Sequence, residues 1–255
     1  MPPSGAGGIG GSSSPGGSVM PGGSPRPGAG EPEFDAIILA GGRGTRLGGT
    51  DKPGLVVGAE SMAAAVARAA VAAGARRVIL VGPGRPDLAA IVPPEALLLA
   101  REEPPGAGPV PALRAGLGQA RAPWVAVLAA DLPFLRAGHL RALLDAATVD
   151  SGRGRPVSTG IRSEPARGAL LADDTGRAQW LTGCWSAAGL RAALAAYDGS
   201  SLRGVLGPLD PVLVRWRPVA GEPPPWLDCD TPDALAAARG WPGYGESRHR
   251  PQGAS

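Results

Sequence analysis

The chain has 255 residues, enough for one domain with a sizeable core, and carries a formal net charge of only +3 at a pI of about 9.4. Its arginines are scattered rather than striped, no run approaches the roughly 18 apolar residues of a membrane span, and residues 1–30 lack the basic and apolar regions of a signal peptide. The composition therefore argues against nucleic-acid and membrane partners and predicts a cytoplasmic protein, with two cysteines, Cys184 and Cys229, too few for a disulfide scaffold and without metal-ligand spacing.

Of 41 glycines and 29 prolines, 18 fall in residues 1–33, a stretch too poor in apolar groups to offset the entropy of ordering. It is expected to be a disordered tail, with one domain over 34–240 and a patternless tail over 241–255. The domain opens on an apolar strand that runs from Phe34 through Ile37-Ile38-Leu39 into Ala40-Gly41-Gly42-Arg43-Gly44-Thr45-Arg46-Leu47-Gly48-Gly49-Thr50-Asp51-Lys52. Glycines at this density let the backbone come close to a ligand, so that successive N–H groups form a concavity for an anion. Arg46 and Lys52 add full charges. Counting gives 24 arginines and one lysine, Lys52. A lone lysine in such a chain points to a need for a compact ammonium rather than a planar guanidinium, the plain alternative being a chance surface lysine. The loop is not a Walker A, which needs Gly-Lys-Ser/Thr at a helix start, nor a dinucleotide fingerprint, which must open a helix directly.

Beyond the loop, an alanine-rich helix is expected over 61–73, ended by Gly74, followed by a strand over 78–81. A strand over 96–100, a helix over 110–120, a strand over 124–129 and a helix over 139–147 repeat the unit. This alternation predicts an α/β fold, a three-layer sandwich on a mostly parallel sheet, with ligands beyond the carboxyl ends of the strands. Asp131 leaves its strand at that edge in Asp131-Leu132-Pro133, although an aspartate there also suits a plain turn. Residues 149–178 read as a β-excursion with loops. Helices over 190–197 and 201–206, a strand over 211–216 and a last helix opened by Thr231-Pro232 complete the domain.

The first loop resembles the signature of nucleotidyltransferases with a Rossmann-like fold, and specifically that of the molybdenum cofactor guanylyltransferases: Leu-Ala-Gly-Gly, Arg, a hydrophobic residue, Gly-Gly, any residue, Asp-Lys. Every position is filled from Leu39 to Lys52. Sugar-nucleotide pyrophosphorylases place their lysine later and after a proline, and the related cytidylyltransferases usually read Leu-Ala-Ala-Gly and Pro-Lys, so Gly41 and Asp51 both favour the guanine branch. The resemblance, which covers roughly 34–240, implies transfer of GMP from GTP to molybdopterin or Mo-molybdopterin with release of pyrophosphate. In it the backbone of Leu39, Ala40, Gly41 and Gly42 with Arg46 holds the triphosphate, Lys52 neutralises the α-phosphate, and Asp131 binds Mg2+ against the nucleotide. It also implies nucleotide contacts at Glu103, or at Glu102 one residue earlier, and at Gly108 before Pro109. Asp228-Cys229-Asp230-Thr231-Pro232 stands for the family's Asn-x-Asn-Thr-Pro, so that Asp230 either caps the last helix or binds metal or acceptor. Gln179-Trp180-Leu181 replaces a family proline by Trp180, and Trp180 and Trp185 either stack on a pterin or pack in the core. Partners implied are GTP, the pterin acceptor, and a molybdenum-insertion protein or target molybdoenzyme. The alternatives are a cytidylyl- or sugar-phosphate nucleotidyltransferase on the same fold, and a nucleotide-binding regulator that has lost catalysis.

Overall fold

The computed structural model describes residues 32–41, 51–150 and 167–242. The first strand, β1 (Phe34–Leu39), is buried along its whole length because it lies at the middle of the sheet with helices on both faces. Its side chains alternate: Ala36 and Ile38 join one core cluster, Ile37 and Leu39 another. A two-stranded hairpin, β2 (Val56–Val57) and β3 (Glu60–Ser61), precedes helix α1 (Met62–Ala73) and was not expected from the sequence. Ser61 caps α1 by accepting from the Ala64 amide at 3.1 Å, and Gly74 ends it at φ 99°. Strands β4 (Val78–Val81) and β5 (Leu97–Ala100) then extend the sheet on one side of β1. Helix α2 (Pro109–Gln119) crosses to the other face and leads into β6 (Trp124–Ala129), which pairs with β1 on its other side.

The second half is less regular. Helix α3 (Ala137–Asp150) is longer than the sequence pattern indicates. Strand β7 (Gly168–Ala172) is followed by β8 (Ala178–Ser186), α4 (Ala187–Ala195), α5 (Leu202–Leu206), β9 (Val212–Arg215) and α6 (Pro232–Arg239). The seven-stranded sheet has the order β5-β4-β1-β6-β8-β7-β9, with β8 antiparallel to both of its neighbours and every other pairing parallel. Helices α1 and α3 cover one face and α2, α4 and α5 the other, which makes the three-layer α/β/α sandwich expected. No helix among the described residues is long and apolar enough to cross a membrane.

Two details fix the ends of the central strands. Asp35, buried on β1, accepts the backbone N–H groups of Arg121 and Ala122 at 2.7 and 2.9 Å and so ties the start of β1 to the approach to β6. Gly116 faces the sheet from α2, where a Cβ would lie 2.5 Å from Ile37 Cγ2 and 2.9 Å from Val81 Cγ2. A third, smaller apolar cluster joins Val57 and Met62 to Phe134, Cys229, Leu235 and Ala238, clamping α6 onto the β2–β3 hairpin. Trp241 packs against it and donates to the Gly221 carbonyl at 3.0 Å, although the sequence places this residue in the tail.

Candidate active site

The strand order reverses between β1 and β6, since the chain goes from β1 outward to β4 and β5 and then returns to add β6. The crevice beyond the carboxyl ends of these two strands is where an open α/β sheet binds ligands. Its floor is backbone: the Ala40 amide donates to Val81 and the Ala130 amide to Leu39, at 2.9 and 3.1 Å. Gly82 passes so close that a Cβ there would be 3.0 Å from the Ala40 carbonyl carbon, and its φ of 141° suits glycine alone.

A cavity of about 620 Å3 opens above this floor, walled by Leu39, Ala40 and Gly41 on one side and by Glu102, Gly106 and Gly108 on the other. Glu102 is buried, accepts the Gly106 N–H at 3.0 Å, and stands next to Gly41. Of the two acidic positions weighed from the sequence, Glu102 lines the cavity, whereas Glu103 is exposed and does not. Gly108, at φ 106°, is the N-cap of α2 and lines the same cavity. Gly42 and Arg46, with the remaining loop glycines, lie outside the described residues.

Asp131 follows β6 and lines both this cavity and a second one of about 800 Å3. The ammonium of Lys52 forms ion pairs with Asp131 and with Asp230, which the segment before α6 brings in from the far end of the domain. Burial acts against the charge on Lys52, but the Asp131 and Asp230 carboxylates outweigh it and hold the ammonium above its ordinary pKa. Asp228 stands on the same segment. Burial first, then the neighbouring Asp230 and Asp131, push its carboxyl above the usual range, with Lys52 opposing. Thr231 caps α6 by accepting the Ala234 N–H at 3.2 Å. Asp230, one residue earlier, pairs with Lys52.

The second cavity is lined by Asp228, Asp230, Trp180, Trp226, Arg177 and Arg203, among others. The two tryptophans singled out from the sequence thus divide: Trp180 is half-buried in the cavity wall, whereas Trp185 is fully buried on β8. Trp226 was missed, although it stands directly before the Leu227-Asp228 pair of the last motif. Among the described residues no three His, Cys, Asp or Glu side chains are grouped closely enough to hold a metal ion on their own. Two carboxylates that already share one cation do match the donor set of Mg2+, which takes its other ligands from phosphates and water.

Residues 36–212 match the model of the MobA-like NTP transferase domain. The chain is 33% identical over 145 residues to the molybdenum cofactor guanylyltransferase of Burkholderia cenocepacia, a match covering 55% of this chain and 71% of that protein. The structure superposes on a nucleotidyl transferase from Methanothermobacter thermautotrophicus with a TM-score of 0.59 at 18% identity, covering 81% of this chain and 96% of that one. It also superposes on the 2-C-methyl-D-erythritol 4-phosphate cytidylyltransferase of Thermus thermophilus with a TM-score of 0.52 at 21% identity, covering 81% and 97%. At these identities the two structures speak for the fold alone.

Proposed function

We propose a substrate pair for this chain, which belongs to the family of MobA-like NTP transferase domains and is a nucleotidyltransferase: GMP passes from GTP to the terminal phosphate of molybdopterin or its molybdenum form, and pyrophosphate leaves. The observation that carries this reading is that two cavities meet at Asp131, one walled by Leu39, Ala40, Gly41 and Glu102, the other by Asp228, Asp230, Trp180 and Trp226. The first suits a nucleotide and the second an aromatic acceptor bearing a phosphate. Glu102 supports guanine over cytosine. A carboxylate accepts the adjacent N1–H and N2–H2 of guanine, whereas the N3 lone pair of cytosine repels it.

The chemistry needs position and charge more than proton transfer. An acceptor phosphate oxygen, already ionised at neutral pH, attacks the α-phosphorus; the bond from that phosphorus to the bridging oxygen breaks, and the electron pair leaves with pyrophosphate. Lys52 faces this step as an ammonium, because its carboxylate neighbours keep it protonated. It therefore neutralises charge and is no nucleophile. Asp131 and Asp230 would hold Mg2+, which when bound neutralises phosphate charge and favours the leaving group. Incubating the protein with each of four labelled NTPs, Mg2+ and molybdopterin tests the substrate pair. The expected result is a labelled dinucleotide from GTP; a kcat/KM for CTP equal to or above that for GTP overturns it.

A further inference from the structure

The side chain of Arg85 is 6% exposed, yet the carboxylate it pairs with, Asp51, is 64% exposed. Arg85 leaves the carboxyl end of β4 after Gly82-Pro83-Gly84 and opens the 3-10 turn Pro86–Ala90. Its Nη2 donates to Asp51, while its Nε is buried without a hydrogen-bond partner. Burying a guanidinium that is only partly satisfied is costly, and replacing it by an apolar side chain would ordinarily be tolerated. What the group holds explains why it stands there.

Asp51 immediately precedes Lys52. The 3-10 turn Lys52–Gly54 begins on it, with the Gly54 amide donating to the Asp51 carbonyl and the Leu55 amide to the Lys52 carbonyl, both at 3.0 Å. This turn folds directly over the guanidinium, since a Cβ on Gly54 would lie 2.8 Å from Arg85 Nη1. The platform beneath is fixed from its other end. Asp87, two residues beyond Arg85, accepts the hydroxyl of Ser61, the cap of α1, at 2.5 Å. A lysine places its charge through a flexible four-carbon stem, so the position of the ammonium depends on how firmly its backbone is held. We propose that Arg85 is the positioning residue for Lys52: through Asp51 it clamps the turn from which the lysine reaches Asp131 and Asp230. This rests on the reading of Lys52 as the charge that meets the nucleotide phosphates.

Because Lys52 is the only lysine of the chain, [ε-13C]lysine incorporated into the full-length protein gives a single side-chain resonance that reports its surroundings without any substrate. In Asp51→Asn, an exposed and nearly isosteric change, that resonance is expected to move toward the position of free lysine while the melting temperature stays near wild type. Arg85→Gln is expected to move it in the same direction. With GTP and acceptor, each variant should lose on the order of 10- to 100-fold in kcat, with KM for GTP changed less than about threefold, and the double variant should be no worse than either single one. A resonance that stays in its wild-type position in Asp51→Asn, or kcat losses that multiply in the double variant, overturns the proposal. Should Arg85→Gln fail to fold, Asp51→Asn still decides. A wild-type protein that transfers no nucleotide counts against the substrate assignment, whereas an unmoved resonance counts against the clamp alone.

Discussion

Lys52 is claimed by two carboxylates at once, and the arrangement has a kinetic consequence. In the proposed reaction its charge would meet the triphosphate in the ground state but interact more strongly as negative charge builds at the α-phosphorus, so its loss should weigh on turnover more than on nucleotide affinity. Lys52→Ala is expected to cost on the order of 2–4 kcal/mol in kcat, the range for one preorganised charge. Lys52→Arg should fare no better, because a longer, forked guanidinium cannot occupy a point between Asp131 and Asp230. Steady-state kinetics check both; near wild-type kcat in the arginine variant would show that any cation serves. Lys52 and Asp131 were legible in the sequence because each closes a strand-to-loop motif whose residue types are unusual in that place. Glu102 was not. An acidic doublet in a loop of proline and glycine has no periodicity to say which side chain turns inward, and the choice is made by a hydrogen bond to Gly106 that only the folded loop reveals. Arg85 was equally hidden, since one arginine among 24 carries no mark.

Among the elements, α2 sits against β1 and β4 at a distance set by Gly116. Replacing it by alanine would gain about 1 kcal/mol of helix propensity, but its methyl group would meet Ile37 and Val81 well inside contact distance, and overpacking of this kind costs about 1–3 kcal/mol. The second effect should win. Denaturant midpoints are expected to fall in Gly116→Ala and further in Gly116→Val; an unchanged midpoint would mean that α2 shifts freely. Helix α3 carries a different sensitivity. His139 accepts the Arg136 N–H through Nδ1 at 3.0 Å and meets Trp216 edge-on, with ring centroids 4.4 Å apart. Burial, aided by the Arg136 charge, lowers its pKa from 6.5 to about 4. The unfolded chain therefore binds this proton at a higher pH than the folded one, so the stability due to neutral His139 is fully present above pH 6.5 and is lost as pH falls toward 4. The loss amounts to about 3 kcal/mol at 1.36 kcal/mol per pH unit. Urea melts between pH 7 and 4.5 should show it, and His139→Gln should flatten that part of the profile. Strands such as β4 were readable because continuous apolar runs suit a sheet covered on both faces. Strand β8 was not: Gly183 sits beneath Leu170, and the run is broken by Gln179, Thr182 and glycine, a pattern that makes sense only once its antiparallel neighbours are known.

At the scale of the molecule, one carboxylate borders two cavities, and the proposed function would have donor and acceptor present in them together. Initial-rate patterns with GTP and acceptor varied should intersect, and no nucleotidylated enzyme should accumulate with GTP alone; parallel lines would show that the two substrates take turns. The layered sheet was legible from the alternation of strand and helix, whereas the clamp of α6 on the β2–β3 hairpin was not, because its contacts join residues far apart in the chain, such as Val57 and Leu235. That clamp joins an early part of the domain to the last part to be translated. Leu39, which lines the cavity proposed for the nucleotide, is made early, but Asp230 and the cluster of Cys229, Leu235 and Ala238 beside it are translated some two hundred residues later. On the ribosome, Lys52 therefore lacks its second counter-ion until the segment before the last helix has emerged, and a message cut short ahead of Asp230 is expected to yield a chain without transfer activity rather than a half-active one.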